Sequence, residues 1–133
     1  MANTTFSGPV RSENGFDFIT KNETTGAITT NASYGKGVTG GVQQLSGAGA
    51  VDTTNLVTEI TTTGADALTL ANGSVGQIKI ITMVVDGGDG TLTPTTFANG
   101  TTITFNDAND TVALLYANTI GWVVISNSGA TVA

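Results

Sequence analysis

Four aspartates in two turn-forming stretches are the residues of this chain best suited to chemistry. Asp86 and Asp89 stand in Asp86-Gly87-Gly88-Asp89-Gly90, and Asp107 and Asp110 in Asn106-Asp107-Ala108-Asn109-Asp110. If both stretches are loops at one end of a sheet, their carboxylates and carbonyls offer the oxygen ligands that Ca²⁺ takes. Neither stretch has the spacing of an EF-hand loop or of the glycine-rich calcium nonapeptide. The competing reading is turn chemistry, in which Asp and Asn side chains accept hydrogen bonds from nearby backbone. Two carboxylates facing each other across a cleft could also hydrolyse a glycosidic bond. The aromatics that would hold a sugar, Tyr116 and Trp122, fall instead in apolar runs that read as core. The sequence has no His and no Cys, which excludes His-based acid–base catalysis, disulfides and the usual zinc ligands. It therefore predicts no enzyme and no cofactor.

A second group of residues suits docking. Phe6, Phe16 and Phe18 are spaced aromatics near Arg11, and aromatics and arginine dominate interface hot spots. They belong to residues 1–50, where apolar anchors are isolated and no helical period is sustained. Gly8-Pro9 and Asn14-Gly15 are turn signals, and Gly35–Ala50 is so rich in glycine and alanine that it reads as a connector. Residues 1–50 are thus expected to be an extended N-terminal arm ordered against something else. The alternative is that 15–20 and 27–34 are short strands of the same domain, with the aromatics folded back onto its core.

From Val51 onward the pattern is that of strands and turns, giving an expected β-domain over 51–133. The longest strand signal is Gln77–Asp86, QIKIITMVVD. Ile78, Ile80 and Val84 alternate with Ile81, Met83 and Val85, so both faces are apolar and both need cover. One face belongs to the domain's own core; the other calls for a second layer or a neighbouring subunit. Leu56–Thr62, Ala67–Leu70, Thr91–Phe97, Thr101–Phe105, Val112–Ala117 and Trp122–Ile125 read as further strands. Ile103 and Phe105 are expected inward, with threonines outward. Pro94 cannot donate to a ladder and marks its strand as an edge. Ala71-Asn72-Gly73 and Ala98-Asn99-Gly100 repeat one turn signal, and Asn-Gly is the strongest short hairpin cue. Ser126–Ala133 reads as a polar tail. Together these predict an all-β fold, a small β-sandwich or a jelly-roll or barrel-like domain, in which no solenoid period is evident.

Charge narrows the partners. The net charge is −6, and only 11% of residues are charged, with Thr, Gly, Asn and Ser in their place. Residues 1–50 balance Arg11, Lys21 and Lys36 against Glu13, Asp17 and Glu23. Residues 51–133 set Lys79 alone against Asp52, Glu59, Asp66, Asp86, Asp89, Asp107 and Asp110. An acidic domain of this kind is repelled by nucleic acid and by anionic lipid, so neither nucleic acid nor membrane is an expected partner. No signal peptide and no apolar run of transmembrane length stand out, so assembly in a cytoplasm is expected.

Two stretches carry a family resemblance. The opening MANTTFSGPVRSENGF resembles the N-termini of virion proteins of tailed bacteriophages, marine ones in particular. Residues 68–126, LTLANGSVGQIKIITMVVDGGDGTLTPTTFANGTTITFNDANDTVALLYANTIGWVVIS, resemble a small β-domain of phage structural proteins. The resemblance implies a capsid decoration (cement) protein on the outer surface of the head. It would be a homotrimer whose arm, with Phe6, Arg11, Phe16 and Phe18, clamps the major capsid protein. The alternative is a head- or tail-fibre component whose β-domain recognises a host surface glycan.

Overall fold

Alternation of apolar and polar residues over short runs, broken by Gly, Asn and Asp, builds strands and nothing else here. The computed structural model describes residues 16–34 and 38–133, and among them there is no helix. Two compact units make up the molecule, residues 1–40 and residues 41–133.

In the first unit, β1 (Phe16–Lys21), β2 (Ile28–Tyr34) and β3 (Val38–Gly40) form an antiparallel sheet in that order. The β1–β2 turn is closed by Asn22, whose Oδ1 accepts the N–H groups of Thr24 and Thr25 at 2.9 Å. Gly26 then takes φ +73°, a conformation glycine adopts without strain. Residues 16–21 and 28–34, expected as anchors along an arm, are thus paired strands. Phe6 and Arg11 lie outside the described residues, as does Asn14-Gly15.

The second unit is a sandwich of two five-stranded sheets. Its strands are β4 (Val42–Ser46), β5 (Gly49–Val51), β6 (Val57–Thr61), β7 (Asp66–Leu70), β8 (Ile78–Val85), β9 (Gly90–Pro94), β10 (Ile103–Phe105), β11 (Thr111–Ala117), β12 (Gly121–Ser128) and β13 (Thr131–Val132). One sheet runs β12-β11-β8-β6-β4 and the other β13-β10-β9-β7-β5. From β4 to β9 the backbone crosses between sheets at every step, so β4, β6 and β8 stack in parallel, as do β5, β7 and β9. The first half is therefore a short stack of two-strand coils, closed by the antiparallel strands β10 to β13.

Several expectations are corrected by this winding. Gly47 at φ +71° turns the backbone within the two residues between β4 and β5, so residues 42–50 of the expected connector supply β4 and most of β5. Asn72-Gly73 closes no hairpin, because β7 and β8 lie in different sheets. Pro94 is in the middle strand of its sheet, not an edge. It ends β9, and the next donor, Thr95 N, bonds Leu70 O at 2.8 Å, so no ladder bond is lost. The expected tail forms the end of β12 and the edge strand β13, and Ala133 O accepts the N–H groups of Thr101 and Thr102.

The core lies between the sheets. Ile60, Leu68, Leu70, Ile81, Met83, Leu92, Ile103, Phe105, Val112, Leu114 and Trp122 are buried there. Ile103 and Phe105 point inward, as expected. Trp122 Nε1 donates to Ala71 O at 2.9 Å, and Tyr116 meets the indole edge-on with centroids 5.1 Å apart.

Candidate functional site

β8 is the middle strand of its sheet, and its two faces have different fates. Ile81 and Met83 enter the core, joined by Lys79 rather than by Val85, which is exposed. A register shift between Ile60 and Thr61 on β6 puts Val85 opposite Thr61 and breaks the alternation there. The outward residues Ile78, Ile80, Thr82 and Val84 are covered by no layer of this unit.

Register extends the outward face across the whole sheet. Val42, Val57, Ile80 and Ala113 align in one row, and Ile78, Leu115 and Val123 in the next. Val42 is 49% exposed, Ile78 46% and Val84 44%. Ile125, at the bulge where β12 slips against β11, is also exposed. A polar row bounds the patch: Gln44 Nε2 donates to Glu59 Oε2 at 2.5 Å, and the hydroxyls of Thr82 and Thr111 share a bond of 2.8 Å. Glu59 is the only ionisable residue among these outward positions. The outer face of the second sheet differs in kind. Thr131, Thr104, Thr91 and Ala67 form one row there, and Thr93, Thr69 and Ala50 another. Threonine on a pleated surface is content in water, whereas contiguous Ile, Val and Leu mark a surface that another layer covers.

Beneath the apolar face lies an ion pair with one member buried and the other part-exposed. Lys79 is fully buried; its Nζ lies 3.5 Å from Asp52 Oδ1 and donates to Asn55 O at 2.8 Å. Burial pulls the Lys79 pKa down from 10.5, against the opposing pull of Asp52. Burial also raises the Asp52 pKa, but the donors Asn55 N, Asn55 Nδ2 and Thr54 N, with the Lys79 charge, outweigh it and leave the carboxyl below its usual 3.8. The strand parity that put Ile81 and Met83 inward already put Lys79 with them. What the sequence hid was its partner, on a loop far away along the backbone.

The four aspartates do come to one end of the sandwich. Met83 N donates to Asp110 O, and Asn109 N to Met83 O, which ties the β10–β11 loop to the end of β8 where the Asp86–Asp89 corner begins. Three of the four side chains, however, serve their own turns. Asp86 Oδ1 accepts Gly88 N, Asp107 Oδ2 accepts Asn106 Nδ2, and buried Asp110 accepts the N–H groups of Asn106 and Asp107. Among the described residues, no three acidic side chains gather as a metal-binding group. Phe16 and Phe18 lie two apart on β1, opposite Tyr34 and Ala32. Comparison with known protein families and with curated proteins finds no match to this protein.

An open groove of about 580 Å³, uncharged and of mixed polar and apolar lining, runs between the β5–β6 and β7–β8 loops, lined by Thr53, Thr54, Asn72, Ser74, Val75 and Gln77. Gln77 spans it, its Nε2 donating to Thr53 O and its Oε1 accepting Ser74 N. Trp122 lies directly under Gly73 and is fully buried, so it offers no stacking platform to a ligand in the groove.

Proposed function

We propose that this is a virion structural protein, a capsid decoration protein that binds the outer surface of a mature phage head as a homotrimer and stabilises the lattice. The observation that carries the reading is the uncovered apolar face centred on Ile78, Ile80 and Leu115, set against the threonine face on the other side of the same sandwich. A small acidic domain with one such face is built to associate with protein surface, and self-association would bury it. The resemblance of residues 1–16 and 68–126 to phage structural proteins gives that association its setting. In this reading the N-terminal residues, with Phe6, Arg11, Phe16 and Phe18, grip the major capsid protein, and several arms per assembly turn weak contacts into avid binding. Binding the mature lattice and not its precursors stabilises it by mass action, without bond making or breaking.

The deciding experiment is the copy number per purified particle, by quantitative mass spectrometry against the major capsid protein. A simple ratio to the shell subunit supports decoration; a few copies per particle would overturn it. The uncharged groove between Thr53 and Gln77 favours a second reading, a fibre component that recognises a neutral glycan. Saccharide binding by the full-length protein on a glycan array, lost on filling the groove with Ser74→Trp, would support that alternative.

A further inference from the structure

Ala71-Asn72-Gly73 and Ala98-Asn99-Gly100 share one local sequence, each followed by a hydroxyl residue, Ser74 or Thr101. An Asn-Gly step carries an intrinsic reaction, because glycine has no side chain to shield its own N–H. The glycine nitrogen attacks the carbonyl carbon of the asparagine amide. A new C–N bond closes a five-membered succinimide, the amide's own C–N bond breaks, and ammonia leaves with the proton. Water then opens the ring at either carbonyl, leaving aspartate or isoaspartate. In the unfolded protein the two sites are chemically equivalent, so any difference between them belongs to the fold.

The fold treats their asparagine amides differently. Asn99 Oδ1 accepts Val124 N at 2.8 Å, which fixes the amide against β12. Gly100, at φ +147°, is packed against Ala133, whose carbonyl holds Thr101 N at 2.6 Å and Thr102 N at 2.9 Å. The electrophile is held in place there, and the backbone is tied one residue past the nucleophile. Asn72 is exposed, and among the described residues neither its amide group nor Gly73 N–H has a hydrogen-bond partner. The backbone is tied only on either side, at Ala71 O by the Trp122 indole and at Ser74 N by Gln77 Oε1. We propose that Asn72 is a selective self-modification site, converting through a succinimide to aspartate and isoaspartate while the identical step at Asn99 is protected by its bond to β12.

The product has a local consequence. It puts a carboxylate into a groove otherwise lined by neutral residues, and the isoaspartyl form lengthens the backbone beside the carbonyl that caps Trp122. Trp122 is the only tryptophan in the protein and also touches residues 96–98, so a fluorescence change belongs to Asn72 where Asn72→Gln removes it.

The test is peptide mapping of the full-length protein incubated at mildly alkaline pH, folded and in urea. In urea, Asn72 and Asn99 should gain the mass of an amide-to-acid change at similar rates. In the folded protein Asn72 should continue to convert, with ammonia release and a change in Trp122 fluorescence. Asn99 should slow at least about fivefold, since its hydrogen bond must break first. Asn72→Gln should abolish the fluorescence change. Equal conversion at the two sites in the folded protein, or an unconverted Asn72 over a time that converts it in urea, would overturn the proposal.

Discussion

A lysine whose side chain is fully buried gives up its hydration, and a single carboxylate 3.5 Å away returns only part of that cost. The two members of the Lys79–Asp52 pair should therefore respond very differently to removal. Asp52→Ala strands a buried ammonium and also strips the acceptor from Thr54 N, Asn55 N and Asn55 Nδ2. We expect a loss of about 2–4 kcal/mol in urea denaturation, below that of a deeply buried pair because Asp52 keeps 30% exposure. Lys79→Met fills the same space without charge and leaves Asp52 its turn donors, so its cost should stay within about 1.5 kcal/mol. Equal losses in the two variants would refute this asymmetry. The pH dependence follows from the two shifts. The Lys79 pKa is lowered, so between its folded value and 10.5 the unfolded state holds the extra proton, and stability from this group rises with pH across that window. The cost of Lys79→Met should grow accordingly as pH approaches 10.5. Asp52 acts at the other end: its contribution is present above 3.8 and is lost as pH falls through its lowered folded value.

At the scale of elements, what could be read from the sequence was what alternation over a few residues determines. The runs around 57–61, 66–70, 78–85, 103–105, 111–117 and 122–125 are strands, with Ile103, Phe105, Val112 and Leu114 inward as their parity requires. The winding was hidden because it depends on partners far apart along the backbone. Asn72-Gly73 is as good a local hairpin signal as any, yet crossing to the other sheet stacks β8 on β6 and buries Ile60 against the core. The coils also differ in length, Val42 aligning with Val57 but Val57 with Ile80, so no fixed period marks the stack. The corners carry its geometry. At Gly87 a Cβ would collide with the Thr62 carbonyl, where the β6–β7 and β8–β9 corners lie on one another. Gly87→Ala should cost about 1–3 kcal/mol. Gly64, on the neighbouring corner, has open space where its Cβ would stand and no left-handed φ, so Gly64→Ala should change stability by less than about 0.5 kcal/mol. Thermal melts of the two variants side by side test whether the corners stack as described.

For the whole molecule, the question is what a protein of net charge −6 gains from a sandwich that leaves Ile, Val and Leu of one sheet uncovered by its own layers. Within residues 41–133 the only acidic group on that face is Glu59, in its polar bounding row: Asp66, Asp86, Asp89, Asp107 and Asp110 sit in or beside the loops at one end of the sandwich, and Asp52 lies in the β5–β6 loop. Copies can then meet through the apolar rows with their charges at the margins, where repulsion is weak but long-ranged. Each half-exposed Ile or Val buried on association contributes roughly 1 kcal/mol, enough in sum to hold an oligomer against that repulsion. Two results should follow. Sedimentation of the full-length protein should show association that tightens as salt is raised from low to physiological ionic strength, because screening relieves like-charge repulsion and leaves apolar burial intact. Ile80→Lys, at the centre of the face, should weaken association by about 2 kcal/mol or more, some thirtyfold in the dissociation constant, with an unchanged strand signal in circular dichroism. Thr93→Lys, on the threonine face, serves as the control and should leave association as it was. Association that weakens with salt, or that survives Ile80→Lys, would mean the contact is made elsewhere, and the apolar face would then lose its place in the decoration reading.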